Sequence, residues 1–123
     1  MILLKSKTEG RYINAENVLV FVEVEDKGDR GIIAFLDDGK RLRSGILQEK
    51  DFDKLCRLPN FIQGIDHEDN RCLFNAAKIH EIIQSEEETG IFFSGRKKRF
   101  CLCIKRPSAY NLAFLYSGQS AVR

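Results

Sequence analysis

The sequence predicts a mainly β (α+β) protein: an elongated antiparallel β assembly of two similar β units joined by one helix. Three observations predict it. Apolar, β-branched runs such as Val18–Glu25 and Phe100–Ile104 alternate at the strand period. One stretch, Ser44–Leu58, shows a helical spacing and is closed by Pro59. The chain also nearly repeats itself. Arg11-Tyr12-Ile13-Asn14-Ala15 is answered by Arg71-Cys72-Leu73-Phe74-Asn75-Ala76, so that at an offset of 61 residues Asn14 falls on Asn75, Ala15 on Ala76 and Val18 on Ile79. Two copies are too few for a solenoid and suit two related β units in one small domain.

Taken in order, Ile2–Leu4 reads as a short strand followed by a polar turn, and Tyr12–Asn14 as the next strand. Asn14–Asn17 reads as a turn because asparagine mimics turn hydrogen bonds. In Val18–Glu25 the valines 18, 20, 22 and 24 share one parity, and Glu23 and Glu25 suggest a strand that runs out into solvent. Gly31–Asp37 follows as a strand, and Asp38-Gly39 is a hairpin signal returning through Lys40–Arg43. The helix predicted over 44–58 has its apolar stripe at Phe52, Leu55 and Cys56. Asn60–Gln63 extends again, and Gly64–Asn70 is a polar loop. Further strands are expected near Cys72–Phe74, Ile79–Gln84, Gly90–Ser94 and Arg99–Lys105, the last ended by Pro107. In Ser108–Tyr116, Tyr110, Leu112, Phe114 and Tyr116 alternate as in a strand, whereas Leu112, Leu115 and Tyr116 suit a helix, and the sequence does not choose. The expected organisation is a single domain over 1–123, with a first β unit at 2–43, a helix at 44–58, a second β unit at 60–116 and a frayed tail at 117–123.

A chain of 123 residues, 43% hydrophobic and 31% charged, can bury a core without metal or disulfide. No stretch resembles a signal peptide and no apolar run approaches a membrane span, so a cytoplasmic protein is expected. Cys56, Cys72, Cys101 and Cys103 then read as reduced thiols. The charge is uneven. Residues 1–88 carry 13 lysines and arginines against 18 acids, while residues 89–123 carry seven cations and no acid. A basic surface confined to one segment favours a polyanionic partner.

The element order resembles that of the LytTR DNA-binding domain of bacterial response regulators. The stretches that carry the likeness are Tyr12-Ile13-Asn14 with Val18–Glu23, Asp38-Gly39-Lys40, Ile46–Leu58, Leu58-Pro59-Asn60-Phe61, Leu73-Phe74-Asn75 with Lys78–Ile82, and Lys105-Arg106-Pro107-Ser108 before Tyr110. It covers roughly residues 2–115. The resemblance implies DNA contacts from loops after the helix and near the C-terminus, here Gly64–Asn75, Arg96–Arg99 and Lys105–Tyr110. The family's Phe-x-x-apolar-His-Arg-Ser-x-apolar-apolar-Asn is altered: about four extra residues separate Phe61 from Asn75, and Glu68-Asp69 follow His67. Counted back from Asn75, Asp69, Asn70 and Arg71 fill the His-Arg-Ser positions. The receiver domain that usually accompanies such a module has no counterpart in these residues, so the expectation is a free-standing regulator.

The implied site has Arg96, Lys97, Lys98, Arg99, Lys105 and Arg106 neutralising phosphates, with Ser108 beside them, and His67, Asn70 or Arg71 at base edges. Asn75 reads as a turn residue. Duplex DNA is the expected partner. The alternative is a protein partner for an interaction or inhibitory module that kept the scaffold and lost the reading loop, as Glu68-Asp69 suggest. A homodimer is a further expectation, because an edge strand such as Ile2–Leu4 could pair across a two-fold axis. No enzyme is expected. Asp37-Asp38 is a hairpin turn, His67-Glu68 and His80-Glu81 lack the spacing of a zinc protease, and no second pair completes a metal site with Cys101-x-Cys103. No cofactor is expected.

Overall fold

The computed structural model describes residues 1–37, 42–66, 68–86, 88–93 and 100–105, with backbone alone at 26, 37, 88 and 100–105. The protein is mainly β, its described residues forming three antiparallel sheets. β1 (Leu3–Lys5) and β2 (Tyr12–Asn14) form a ribbon. The central sheet has the order β5-β4-β3-β7-β6, from β3 (Val18–Asp26), β4 (Asp29–Asp37), β5 (Leu42–Ile46), β6 (Phe61–Ile65) and β7 (Arg71–Asn75). The third sheet, β10-β9-β8, contains β8 (Ile79–Gln84), β9 (Glu88–Phe93) and β10 (Phe100–Lys105).

The middle of the central sheet is buried on both faces, which is why the first part of β3, Val18–Val22, reads as an unbroken apolar run. On one face Leu19, Val20, Val22, Cys72 and Phe74 pack against Ile91 and Phe93 of the small sheet. On the other, Val18, Phe21, Ile32, Ala34 and Leu73 pack against Ile13 of the ribbon and against Phe52 and Leu55. Phe21 and Phe61 add a tilted ring pair with centroids 5.1 Å apart. The ladder slips by one residue between Val18 and Val20. This bulge puts Val18 on the same face as Phe21 and opposite to Val20, so the four valines do not share a face as the alternation suggested.

The helix is the main correction. Within 44–58 only Phe52–Leu55 is helical, a single turn capped by Asp51, whose Oδ1 accepts from the Asp53 N–H at 3.1 Å. Residues 44–46, expected in that helix, belong to β5 and pair with β4 through Ile33↔Ile46, Ala34↔Gly45 and Phe35↔Ser44. Local spacing suggested a helix there, but the open edge of β4 offers every backbone group a partner. Gly45 fits because the ribbon crosses it: a Cβ there would lie 2.9 Å from both Arg11 Nη1 and Ile13 Cδ1. The same ribbon blocks the free edge of β5, since Arg11 Nη1 donates to Ser44 O and the Lys7 N–H to Ile46 O.

The two halves of the repeat share one sheet, because β7 pairs directly with β3. What the repeat does produce is a pair of matching corners. Asn14 and Asn75 each cap a 3-10 turn, Ala15–Asn17 and Ala76–Lys78, with the side chain accepting from the N–H two residues on. Val18 and Ile79 end the two turns in the same way, donating to Ala15 O and Ala76 O. The β3–β4 turn is tight, with Lys27 and Gly28 both at positive φ between the paired Asp26 and Asp29. β4 and β5 pair from Asp37↔Leu42 onward, as a hairpin requires, while the Asp38-Gly39 signal itself lies outside the described residues. Ser108–Tyr116 and 117–123 lie outside them too. No helix among the described residues is long and apolar enough to cross a membrane.

Candidate nucleic-acid interface

β6 and β7 form a hairpin in register from Phe61↔Asn75 to Ile65↔Arg71, which delivers residues 66–70 as its turn. The turn is held by a carboxylate. Asp66 is 9% exposed, and its Oδ1 accepts from the backbone N–H groups of Glu68 and Asn70, each at 2.9 Å. The Asp66 N–H donates to Asn70 O, and Asp69 takes a positive φ of 67°, a conformation that aspartate tolerates better than most residues. The turn therefore presents Glu68, Asp69 and Asn70 on a fixed backbone.

Arg71 begins β7 beside this turn. Its Nε and Nη2 donate to the two carboxylate oxygens of Glu23 at 3.0 and 2.9 Å, a bidentate pair, and its Nη1 donates to Asp53 Oδ1 at 3.1 Å. The guanidinium also lies over the Phe52 ring, 4.7 Å from its centroid. The Glu23 hydrogen bond, more than any other contact, pushes the Arg71 pKa above its already high ordinary value. This cluster ties β3, β7 and the helical turn together. Arg71 thus sits in an ion cluster of the protein's own carboxylates, not extended from the turn. Glu23 is likewise not a solvent-facing end of its strand: its side chain is 13% exposed and paired. Sequence reasoning missed this pair, 48 residues apart. The one available signal was a carboxylate two residues after Phe21, directly following the apolar run Val18–Val22.

Asn70 and Arg71 meet at a polar hollow of about 140 Å³, lined also by Glu23, Glu25, Arg30 and Asp69. A larger hollow of about 300 Å³ lies at the opposite end of the hairpin, between the asparagine corners, with Leu58, Pro59, Phe61 and Asn75 among its lining. Asn75 is 3% exposed and uses its amide on the first corner, donating to Val18 O at 2.9 Å and Glu16 O at 3.3 Å. It is a structural tie between the two copies, in keeping with the turn role read from the sequence.

β10, whose two ends adjoin the basic stretches 96–99 and 105–106, lies against β6, the strand that leads into the turn. His67, Arg96, Lys97, Lys98, Arg99, Arg106 and Ser108 lie outside the described residues, as does the side chain of Lys105. No family model, curated protein or solved structure matches this chain.

Among the described residues no group of three or more histidines, cysteines, aspartates or glutamates is arranged to hold a metal ion. Cys72 is fully buried, and burial, reinforced by the negative charge of Asp66, pushes its thiol up to about 12. Between pH 9 and 12 the unfolded chain therefore gives up this proton while the folded protein keeps it. Stability contributed by Cys72 should fall as pH rises through that window, by at most about 1.4 kcal/mol per pH unit. Urea unfolding of the native chain and Cys72→Ala at pH 8 and 10.5 checks this: the gap between the two should narrow at the higher pH.

Proposed function

We propose that this chain is a DNA-binding transcriptional regulator of the LytTR type, gripping duplex DNA through loops and a basic C-terminal segment. The observation that carries the reading is the placement of β10 against β6. It sets the strand flanked by Arg96–Arg99 and by Lys105 and Arg106 beside the strand that bears the 66–70 turn. The order strand pair, asparagine corner, three strands, short helix, hairpin, second asparagine corner and second strand set gives further support.

On this reading the cations neutralise phosphates and set the register, and base edges are read from the turn. Phe52–Leu55, a helical turn of four residues, is too short to fill a major groove, and on this reading loops carry recognition. Asn70, on a backbone fixed by Asp66, is the candidate reader at the turn, with His67 beside it in sequence. Arg71 serves by holding β7, β3 and the helical turn in place.

Binding of a labelled duplex at several salt concentrations tests the proposal. The log–log slope should be about −0.9 per neutralised phosphate. Replacing Arg96, Lys97, Lys98 and Arg99 together by alanine should flatten it by up to about 3.6. Absence of binding to any duplex at low salt eliminates the DNA reading. It would favour the second one, a protein-interaction or inhibitory module, for which the acidic turn of Asp66, Glu68 and Asp69 and the internally paired Arg71 speak.

A further inference from the structure

The two corners of the repeat share a backbone geometry but not their side chains. At the offset of 61 residues Glu16 of the first turn corresponds to Ala77 of the second, and Lys78 of the second to Asn17 of the first. The hollow of about 300 Å³ between the corners is lined by both Glu16 and Lys78. One carboxylate and one ammonium therefore border the same space. The rest of the lining is largely apolar, with Ile2, Leu58, Pro59 and Phe61 the larger side chains.

The frame of the hollow is held by hydrogen bonds in series. The Ala15 N–H donates to Ile2 O at 2.8 Å, the Asn75 amide to Glu16 O at 3.3 Å, and the Ala76 N–H to Asn60 O at 2.7 Å. Asn60 takes a positive φ of 68°, a left-handed conformation that asparagine tolerates. Asn75 uses its whole side chain on the corners, which leaves recognition to the two charged groups. Those charges are accessible. No carboxylate among the described residues lies within ion-pair distance of half-buried Lys78. Glu16 makes one loose pair, with the Met1 ammonium at 3.5 Å, the two groups being 67% and 62% exposed.

We infer that this hollow binds a small zwitterion with an apolar side chain, a free α-amino acid of the phenylalanine or leucine kind, its ammonium on Glu16 and its carboxylate on Lys78. The lining selects this class. A ligand with a single charge leaves the opposite residue unmatched, and one without an apolar body leaves Leu58, Pro59 and Phe61 in water. A volume of about 300 Å³ is at the lower end for small-molecule pockets, which suits one amino acid better than a nucleotide. The frame is largely pre-formed, so little ordering opposes binding. Because the charges come from different corners, the bound zwitterion bridges the two copies of the repeat. The inference rests on the hollow alone and does not depend on the DNA reading.

Titration of the isotope-labelled full-length chain with L-phenylalanine and L-leucine, followed by amide chemical shifts, tests it. Shifts should centre on Glu16, Asn60, Phe61, Ala77 and Lys78 and saturate with a Kd on the order of 1 mM or below. Hydrocinnamate, phenethylamine and glycine lack the ammonium, the carboxylate and the apolar body in turn, and each should bind at least about threefold more weakly. Glu16→Gln and Lys78→Gln should each weaken phenylalanine binding about threefold to fivefold, the scale of one solvent-screened ion pair. Lys27→Gln, in the turn at the far end of β3, should leave it unchanged. The same spectra report whether each variant is folded, and the three analogues test the native chain without any substitution. No saturating shift with either amino acid overturns the inference. So does binding of hydrocinnamate and phenethylamine as tight as that of phenylalanine, or binding that both charge variants leave unchanged.

Discussion

Asn75→Ala is expected to cost about 3 kcal/mol, while Asn14→Ala, at the matching position of the repeat, costs about 1 kcal/mol. Both asparagines cap a 3-10 turn through the same bond, from Glu16 N–H to Asn14 at 3.1 Å and from Ala77 N–H to Asn75 at 3.0 Å. Removing that bond alone is the loss of an ordinary cap. Asn75 does more, because its amide also donates to Val18 O and Glu16 O across the seam between the copies. Its truncation leaves the carbonyl of buried Val18 without this donor, and such groups carry their full desolvation cost. Urea denaturation of the two variants checks the contrast. Equal losses at both sites would mean that the cross-copy bonds add nothing to stability.

Arg71→Ala is expected to destabilise by about 2 kcal/mol, with the affinity of the folded fraction for any nucleic-acid partner little changed. The guanidinium is one-third exposed, so the ion pairs are partly screened and the full cost of a broken buried pair does not apply. What remains is a Glu23 carboxylate, 13% exposed, left without its bidentate partner, and the lost stacking on Phe52. The double variant Arg71→Ala with Glu23→Gln should recover part of the loss by removing that unpaired charge. A double-mutant cycle in chemical denaturation reads this coupling directly. A coupling near zero would show that the pair is no more than surface decoration. A base-specific loss of DNA affinity with unchanged stability would instead return Arg71 to the reading role first expected of it.

Much of the fold was legible because strand signals here are local. Tyr12–Asn14 and Ile79–Gln84 have the boundaries their apolar alternation and flanking turns implied. The matched asparagines announced two corners of the same geometry, since an asparagine side chain bonds its own backbone two residues on whatever surrounds it. The helix was overcalled for the opposite reason. Ile46, Leu47, Phe52 and Leu55 fall at helical spacing, but Ile46 lies in an edge strand and Leu47 is buried beneath the ribbon through its bridge to Ser6. A short apolar spacing cannot tell a helix face from a strand followed by a turn when an unpaired strand edge is waiting for one of them.

The candidate site divides along the same line. Sequence by itself placed the basic stretch near the C-terminus and the polar turn between two apolar strands, because charge and turn chemistry are properties of adjacent residues. Only the tertiary structure decided the fate of Arg71, which meets a carboxylate 48 positions away because β3 and β7 are neighbours in the central sheet. The structure alone likewise brought β10 to β6 and left Leu42 and Ile46 exposed on a sheet covered elsewhere. A guanidinium in a sequence is equally ready to bind a phosphate, a base or a glutamate. Strand order determines which of these it meets, and strand order is a property of the whole fold.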